Sequence, residues 1–338
     1  MAPQYDLPPS ELASHMTSMQ RPDDLEEFWA VTLAESRAAA WSPSARVVRC
    51  GLTLVDTFDV TFSGFGGHPV RAWLHRPARS DIPLPVIVRY LGYGAGRGLP
   101  HEVSAWALAG YATLVVDTRG QGSDSSPGHT PDPAGSDPAH PGFVTRGLLD
   151  PATFYYRRVY TDAILAVDAV RQLPGVDPSR VAVTGGSQGG GMSLAVSALV
   201  PDLLAAMPDV PFLCDFRRAT EICDSDPYTE IVRYLRVHRQ SAATVFQTLA
   251  YFDCAVLARY ATAPALFSVG LMDQITPPST VYAAYNAYAG PKEIRVYPFN
   301  GHEGGQGYQQ AEQMHWLRNL SLTGADAGRD DRNAQFEG

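Results

Sequence analysis

The chain has 338 residues, 45% of them hydrophobic and 18% charged, with a formal net charge of −9. This suits a globular protein with a sizeable core, one α/β unit carrying an insertion. The acidic balance argues against a basic surface for nucleic acid, and no apolar run nears the ~18 residues of a membrane span, so neither partner is expected.

Met1 to Ser10 has no basic region ahead of an apolar core, so no secretory signal is expected and a cytoplasmic location follows by default. Asp23 to Arg37 reads as an amphipathic helix with Leu25, Phe28, Trp29 and Leu33 on one face. Val47 to Ser63 and Val70 to Arg76 read as strands joined by the turn Gly64-Phe65-Gly66-Gly67. Pro85 to Tyr90 and Ala112 to Asp117 are short apolar runs of the buried parallel kind, with a crossover helix expected over His101 to Ala109. Pro127 to Pro141 is rich in Pro, Gly, Asp and Ser and reads as a long surface loop.

A helix from about Arg157 to Leu173 precedes a strand at Arg180 to Thr184 and a helix of small residues at Gly189 to Leu199. Leu204 to Pro208 and Ala265 to Val269 are the next strands. Phe216 to Arg259 between them is helical and breaks the alternation, which suggests a cap inserted at about 213–260. Pro278 to Ala289 is a helix, Glu293 to Tyr297 a last strand and Tyr308 to Leu320 a closing helix. Repeated strand-helix units with right-handed crossovers give a doubly wound, mostly parallel α/β sheet. A single domain over 1–322 is expected, its N-terminal helix and strands occupying about 1–80, with a disordered polar tail at 323–338. Cys50, Cys214, Cys223 and Cys254 form no CxxC pair and are expected to be buried reduced thiols.

The sharpest signal is Gly185-Gly186-Ser187-Gln188-Gly189, between the strand Val181-Ala182-Val183 and the helix that follows. A serine hydroxyl becomes a useful nucleophile only when exposed beside a base. A strand-turn-helix elbow exposes it, and flanking glycines leave room for the neighbouring strand and helix, as in α/β-hydrolases. The plainer alternative is a glycine-rich turn with a capping serine. An acid and a histidine should follow in that order, each beyond a strand end. Asp273 follows Phe267-Ser268-Val269-Gly270, and His302 follows Arg295-Val296-Tyr297. Asp273 could instead cap the helix after Pro277. His302 lies in Asn300-Gly301-His302-Glu303-Gly304-Gly305, too glycine-rich to pack a core histidine, and no HExxH suggests a metal.

The second oxyanion donor is expected from Leu91-Gly92-Tyr93-Gly94-Ala95-Gly96, where the Tyr93 N–H would pair with the Gln188 N–H. That loop lacks the GxGxxG spacing of a dinucleotide site. Arg119, in Arg119-Gly120-Gln121-Gly122, reads as a tie between loops more than a substrate ligand.

Arg119-Gly120-Gln121, Gly185-x-Ser187-Gln188-Gly189 and His302-Glu303, in that order, resemble the three signatures of carbohydrate esterase family seven, the acetyl xylan esterases and cephalosporin C deacetylases. The resemblance runs from Leu7-Pro8 to Trp316-Leu317. It implies a cofactor-free serine esterase that deacetylates sugars and related small acetylated esters. It also implies a triad of Ser187, Asp273 and His302, with Tyr93 and Gln188 as oxyanion donors. A homo-hexamer, a dimer of trimers with sites facing an internal cavity, is implied as well. Position 94 is Gly where the family often has Asn. With the resemblance, Phe212 beside Pro211 and Ile275 just past Asp273 are placed where they could wall a small acyl pocket. The alternatives are a peptidase or amidase on the same fold, or an inactive hydrolase-like binding protein.

Overall fold

Short apolar runs become the strands of one sheet: β1 (Ser44–Val48), β2 (Val55–Ser63), β3 (Pro69–Pro77), β4 (Leu84–Tyr90), β5 (Ala112–Val116), β6 (Val176–Gly186), β7 (Ala205–Asp209), β8 (Ala265–Gly270) and β9 (Lys292–Tyr297). Their order is β1-β2-β3-β5-β4-β6-β7-β8-β9. β1 to β3 are antiparallel and β3 meets β5 antiparallel; from β5 to β9 every pairing is parallel. The computed structural model describes residues 4–103 and 105–325, with side chains as far as residue 320.

The helices are α1 (Pro9–Leu12), α2 (Leu25–Ala38), α3 (Ala105–Leu108), α4 (Tyr155–Val170), α5 (Gln188–Leu199), α6 (Phe216–Ile222), α7 (Tyr228–Val237), α8 (Ala242–Ala250), α9 (Cys254–Leu257), α10 (Pro278–Ala287) and α11 (Gln306–Ala325). Because strand side chains alternate between faces, the sheet builds two cores. Val86, Val88, Val181 and Val183 face α4 and α5. Ile87, Ala182, Met207 and Leu266 face the other way, toward Trp106 of α3 and Leu317 of α11. Helices on both faces of a mostly parallel sheet make this an α/β-hydrolase fold. Between β7 and β8, helices α6 to α9 interrupt the alternation and join the α4–α5 side of the core through Phe216, Tyr228, Ile231 and Leu249.

Four expectations are corrected. The run from Val47 to Ser63 is two strands, β1 and β2, parted by residues 49–54 with Gly51 at φ +87°. The crossover helix expected over His101 to Ala109 is only α3. The chain before it is held by other partners: the Arg97 N–H by Asp117, the Gly98 carbonyl by the Trp73 indole and the Leu99 N–H by the Glu102 carboxylate. The closing helix runs to Ala325, past the expected start of the tail; residues 326–338 lie outside the described residues. All four cysteines are free, but only Cys214 and Cys254 are buried; Cys50 and Cys223 are half-buried.

Candidate active site

Ser187 sits at the β6–α5 junction with φ 57° and ψ −118°, a conformation an L-residue keeps only where its surroundings impose it. Space imposes it here. A Cβ on Gly185 would lie 2.6 Å from the Gly189 backbone, and one on Gly189 would lie 2.4 Å from the Tyr90 carbonyl oxygen. The Ser187 N–H donates to the Asp209 carbonyl at the end of β7 (2.9 Å), and its own carbonyl accepts from Phe212 N–H (2.9 Å).

Asp273 and His302 leave the neighbouring strands β8 and β9 on loops joined backbone to backbone, Leu271 N–H to Tyr297 O and Met272 N–H to Asn300 O, both 3.0 Å. The Asp273 carboxylate is fully buried. Its Oδ1 accepts from Ile275 N–H (2.8 Å) and Thr276 N–H (3.0 Å). Its Oδ2 accepts from the Thr276 hydroxyl (2.8 Å) and lies 2.9 Å from His302 Nδ1. A neutral imidazole donating from Nδ1 leaves Nε2 free to take a proton. His302 keeps 27% of its side chain exposed. It lines a cavity of about 280 Å³ together with Ser187, Asp209, Val210 and Gln309.

The Gln188 side chain is fully buried beneath the Tyr93 loop. Its Nε2 donates to Leu91 O (3.2 Å), and its Oε1 accepts from Tyr156 hydroxyl (2.9 Å) and Gln121 Nε2 (2.8 Å). Gln121 Oε1 accepts from Gly94 N–H (2.7 Å), so one glutamine ties the Tyr93 loop to the residue after Ser187. Gly94 has φ +80°, a region glycine enters without strain and asparagine also tolerates, so Gly in place of Asn keeps the turn. Arg119 is fully buried, its Nε and Nη2 on the Asp162 carboxylate of α4 (2.5 and 2.6 Å). It is a tie within the protein, as its sequence context suggests.

The sequence profile of the acetyl xylan esterase (AXE1) family matches residues 2–320. The chain belongs to the acetyl xylan esterase family. It is a carboxylic ester hydrolase with acetyl esterase function. The solved acetyl xylan esterase from Paenibacillus sp. R4 is 40% identical, with a TM-score of 0.86 over 93% of this chain and 99% of that one. Acetyl xylan esterase 1 from Thermoanaerobacterium sp. JW/SL YS485 is 32% identical, with a TM-score of 0.85 over 94% of this chain and 99% of that one. The curated acetyl esterase Axe7A of Xylanibacter ruminicola is 27% identical over 307 residues, 88% of this chain and 67% of that protein. An acylaminoacyl peptidase of Pyrococcus horikoshii, at 17% identity and a TM-score of 0.59 over 83% of this chain and 44% of that one, shares the fold.

Within this acetyl xylan esterase fold, Ser187 and His302 meet on one cavity and Asp273 stands behind His302. Phe212 and Ile275 do not line that cavity. Phe212 is fully buried, its ring edge-on to Tyr93 (6.0 Å) and Tyr228 (4.6 Å). Ile275 is half-buried and uses its N–H to hold Asp273. Sequence reasoning missed Thr276, three residues after Asp273, whose hydroxyl holds the carboxylate. It also missed Asp209, at the carboxyl end of β7, where the position beyond a strand end was the available signal. The Asp209 carboxylate accepts from Gln309 Nε2 (2.9 Å) and Gln313 Nε2 (2.8 Å) of α11. Burial pushes its carboxyl up to about 7, with the Ser268, Gln309 and Gln313 hydrogen bonds opposing.

Proposed function

We propose that Ser187, His302 and Asp273 form the triad of an acetylesterase that acts through an acetyl-enzyme. The observation that carries this is the 2.9 Å contact of His302 Nδ1 with buried Asp273, with His302 and Ser187 sharing a cavity. Ser187 Oγ attacks the acetyl carbonyl carbon while His302 Nε2 takes its proton. The N–H groups of Tyr93 and Gln188 stabilise the oxyanion, each such donor contributing ~3 kcal/mol. As the C–O bond to the alcohol breaks, His302 returns the proton to the leaving oxygen. Water then adds to the acetyl carbon, its proton going to His302 and back to Ser187 Oγ as acetate departs.

The substrates are acetylated carbohydrates and related small acetates, cephalosporin C among them. The likeness to carbohydrate esterase family seven favours a short acyl group. Exposed aromatic rings at Phe299 (75%) and Tyr308 (84%) flank the His302 loop and suit the face of a sugar ring. A homo-hexamer, a dimer of trimers, follows from the likeness to carbohydrate esterase family seven. Light scattering that gives a monomer mass would remove the hexamer alone.

Ser187→Ala should abolish 4-nitrophenyl acetate hydrolysis while leaving the circular dichroism spectrum unchanged. In the wild type, kcat/KM should fall from acetyl through butyryl to octanoyl esters, each methylene costing ~1–3 kcal/mol. Activity surviving in Ser187→Ala sinks the triad; an octanoyl preference sinks the small pocket. Hydrolysis of peptide anilides at rates matching the acetate would favour a peptidase.

A further inference from the structure

The Tyr93 hydroxyl is where three separate segments meet. It lies 2.9 and 3.0 Å from the two carboxylate oxygens of Glu230 on α7. It also accepts the N–H groups of Phe143 (2.7 Å) and Val144 (3.2 Å), with Gly142 N–H at 3.4 Å. The Tyr93 ring packs edge-on against Phe143 (5.4 Å) and Phe212 (6.0 Å). Glu230 is only 6% exposed, between Tyr228 and Ile231, which turn into the core. Among the described residues no cation lies within ion-pair distance of it. A buried carboxylate without a cation costs stability that an apolar side chain of similar size would not. Packing alone therefore does not account for an acid at this position.

The chain beside Tyr93 gives it a use. Gly92 and Gly94 flank Tyr93, and neither carries a side chain that could restrain the peptide between them. Gln121 holds the Gly94 N–H, so the far side of the turn is fixed. On the near side Gln188 Nε2 reaches the Leu91 carbonyl (3.2 Å) and the Gly92 carbonyl (3.4 Å). The Tyr93 side chain anchors the residue between, its far end clamped by Glu230 and the 142–144 backbone. We propose that Glu230 is a positioning residue for ester hydrolysis, holding the Tyr93 hydroxyl so that the Tyr93 N–H stays aimed at the oxyanion. This rests on the reading of Tyr93 as an oxyanion donor. Oxyanion stabilisation depends on donors fixed before the reaction begins, so a loosened Tyr93 lowers kcat more than it raises KM.

The test compares Glu230→Ala, Glu230→Gln, Tyr93→Phe and the double variant Glu230→Ala/Tyr93→Phe on 4-nitrophenyl acetate. Rates are taken per active site, titrated with a fluorophosphonate, so unfolded protein is not counted. Glu230→Ala and Tyr93→Phe should each lower kcat about tenfold with KM within about twofold. The double variant should be no worse than the poorer single, because both cut one link. Glu230→Gln, which still offers the hydroxyl an acceptor, should keep most of kcat. Wild-type kcat in either Glu230→Ala or Tyr93→Phe, or losses that multiply in the double variant, overturns the role of Glu230. If Ser187→Ala is inactive while Glu230→Ala turns over normally, only that role falls. If Ser187→Ala retains activity, the reading of the whole site falls and this proposal with it.

Discussion

On the Ser187 side, backbone meets backbone. Gly185, Gly189 and Tyr90 approach so closely that no Cβ fits, and the buried amides of Gln121 and Gln188 hold the loop that carries Tyr93. On the His302 side backbone also meets backbone at the base, where a Cβ on Gly270 would lie 2.3 Å from the Gly301 carbonyl oxygen, but the tip of the loop is open to solvent. Asp273 is buried, but His302 is part exposed, and the turn is closed by Glu303, an exposed residue whose carboxylate accepts from Asn300 Nδ2 (2.9 Å) and Gly301 N–H (3.0 Å). In the proposed mechanism the difference follows the chemistry assigned to each side. A nucleophile and its oxyanion donors work best fixed in place before the substrate arrives. A base that passes protons to a leaving alcohol and takes one from water must stay within reach of solvent.

That contrast breaks first at Gly189. Gly189→Ala should lower kcat by at least about 100-fold and cost on the order of 2 kcal/mol of stability, because its methyl group meets the Tyr90 carbonyl. Glu303→Gln, on the open side, should change activity by no more than about threefold, as expected for an exposed carboxylate. Steady-state kinetics and urea unfolding of the two variants decide it. Equal losses would mean that both sides are equally rigid.

A further effect belongs to Asp209, which joins the two sides through the Ser187 N–H and the α11 glutamines. Its carboxyl lies at about 7 in the folded protein, raised by burial from the ordinary ~3.9 of the unfolded chain. The folded state therefore holds this proton more tightly. The stability it brings is full below about pH 4 and is lost as pH rises through 7. Asp209→Asn carries no charge to bury. Its stability relative to wild type should rise between pH 5 and pH 8, by about 2–3 kcal/mol, in thermal unfolding at the two pH values. A gap that does not change with pH would contradict the raised carboxyl.

Much of this was legible in the sequence because it is local. Ser187 lies in a glycine-flanked turn, and Asp273 and His302 each follow a short apolar run, so strand ends and spacing sufficed to bring them together. Glu230, Gln121 and Asp209 act through partners far away in the chain, and no spacing announces such pairs. Phe212 illustrates the same limit from the other direction. Its position after β7 is right for a pocket wall, yet its ring turns inward behind Tyr93. The missing length of α3 has a similar cause, since Asp117, Trp73 and Glu102 hold the chain before it in a loop.

The central claim is that Ser187, activated by His302, takes the acyl group. The direct measurement is to treat the protein with a fluorophosphonate, follow 4-nitrophenyl acetate hydrolysis as labelling proceeds, and map the adduct by peptide mass spectrometry. The account expects one adduct per chain, on Ser187, with activity falling in proportion and no labelling in His302→Ala on the same timescale. An adduct on another residue, or full activity after complete labelling of Ser187, would contradict it.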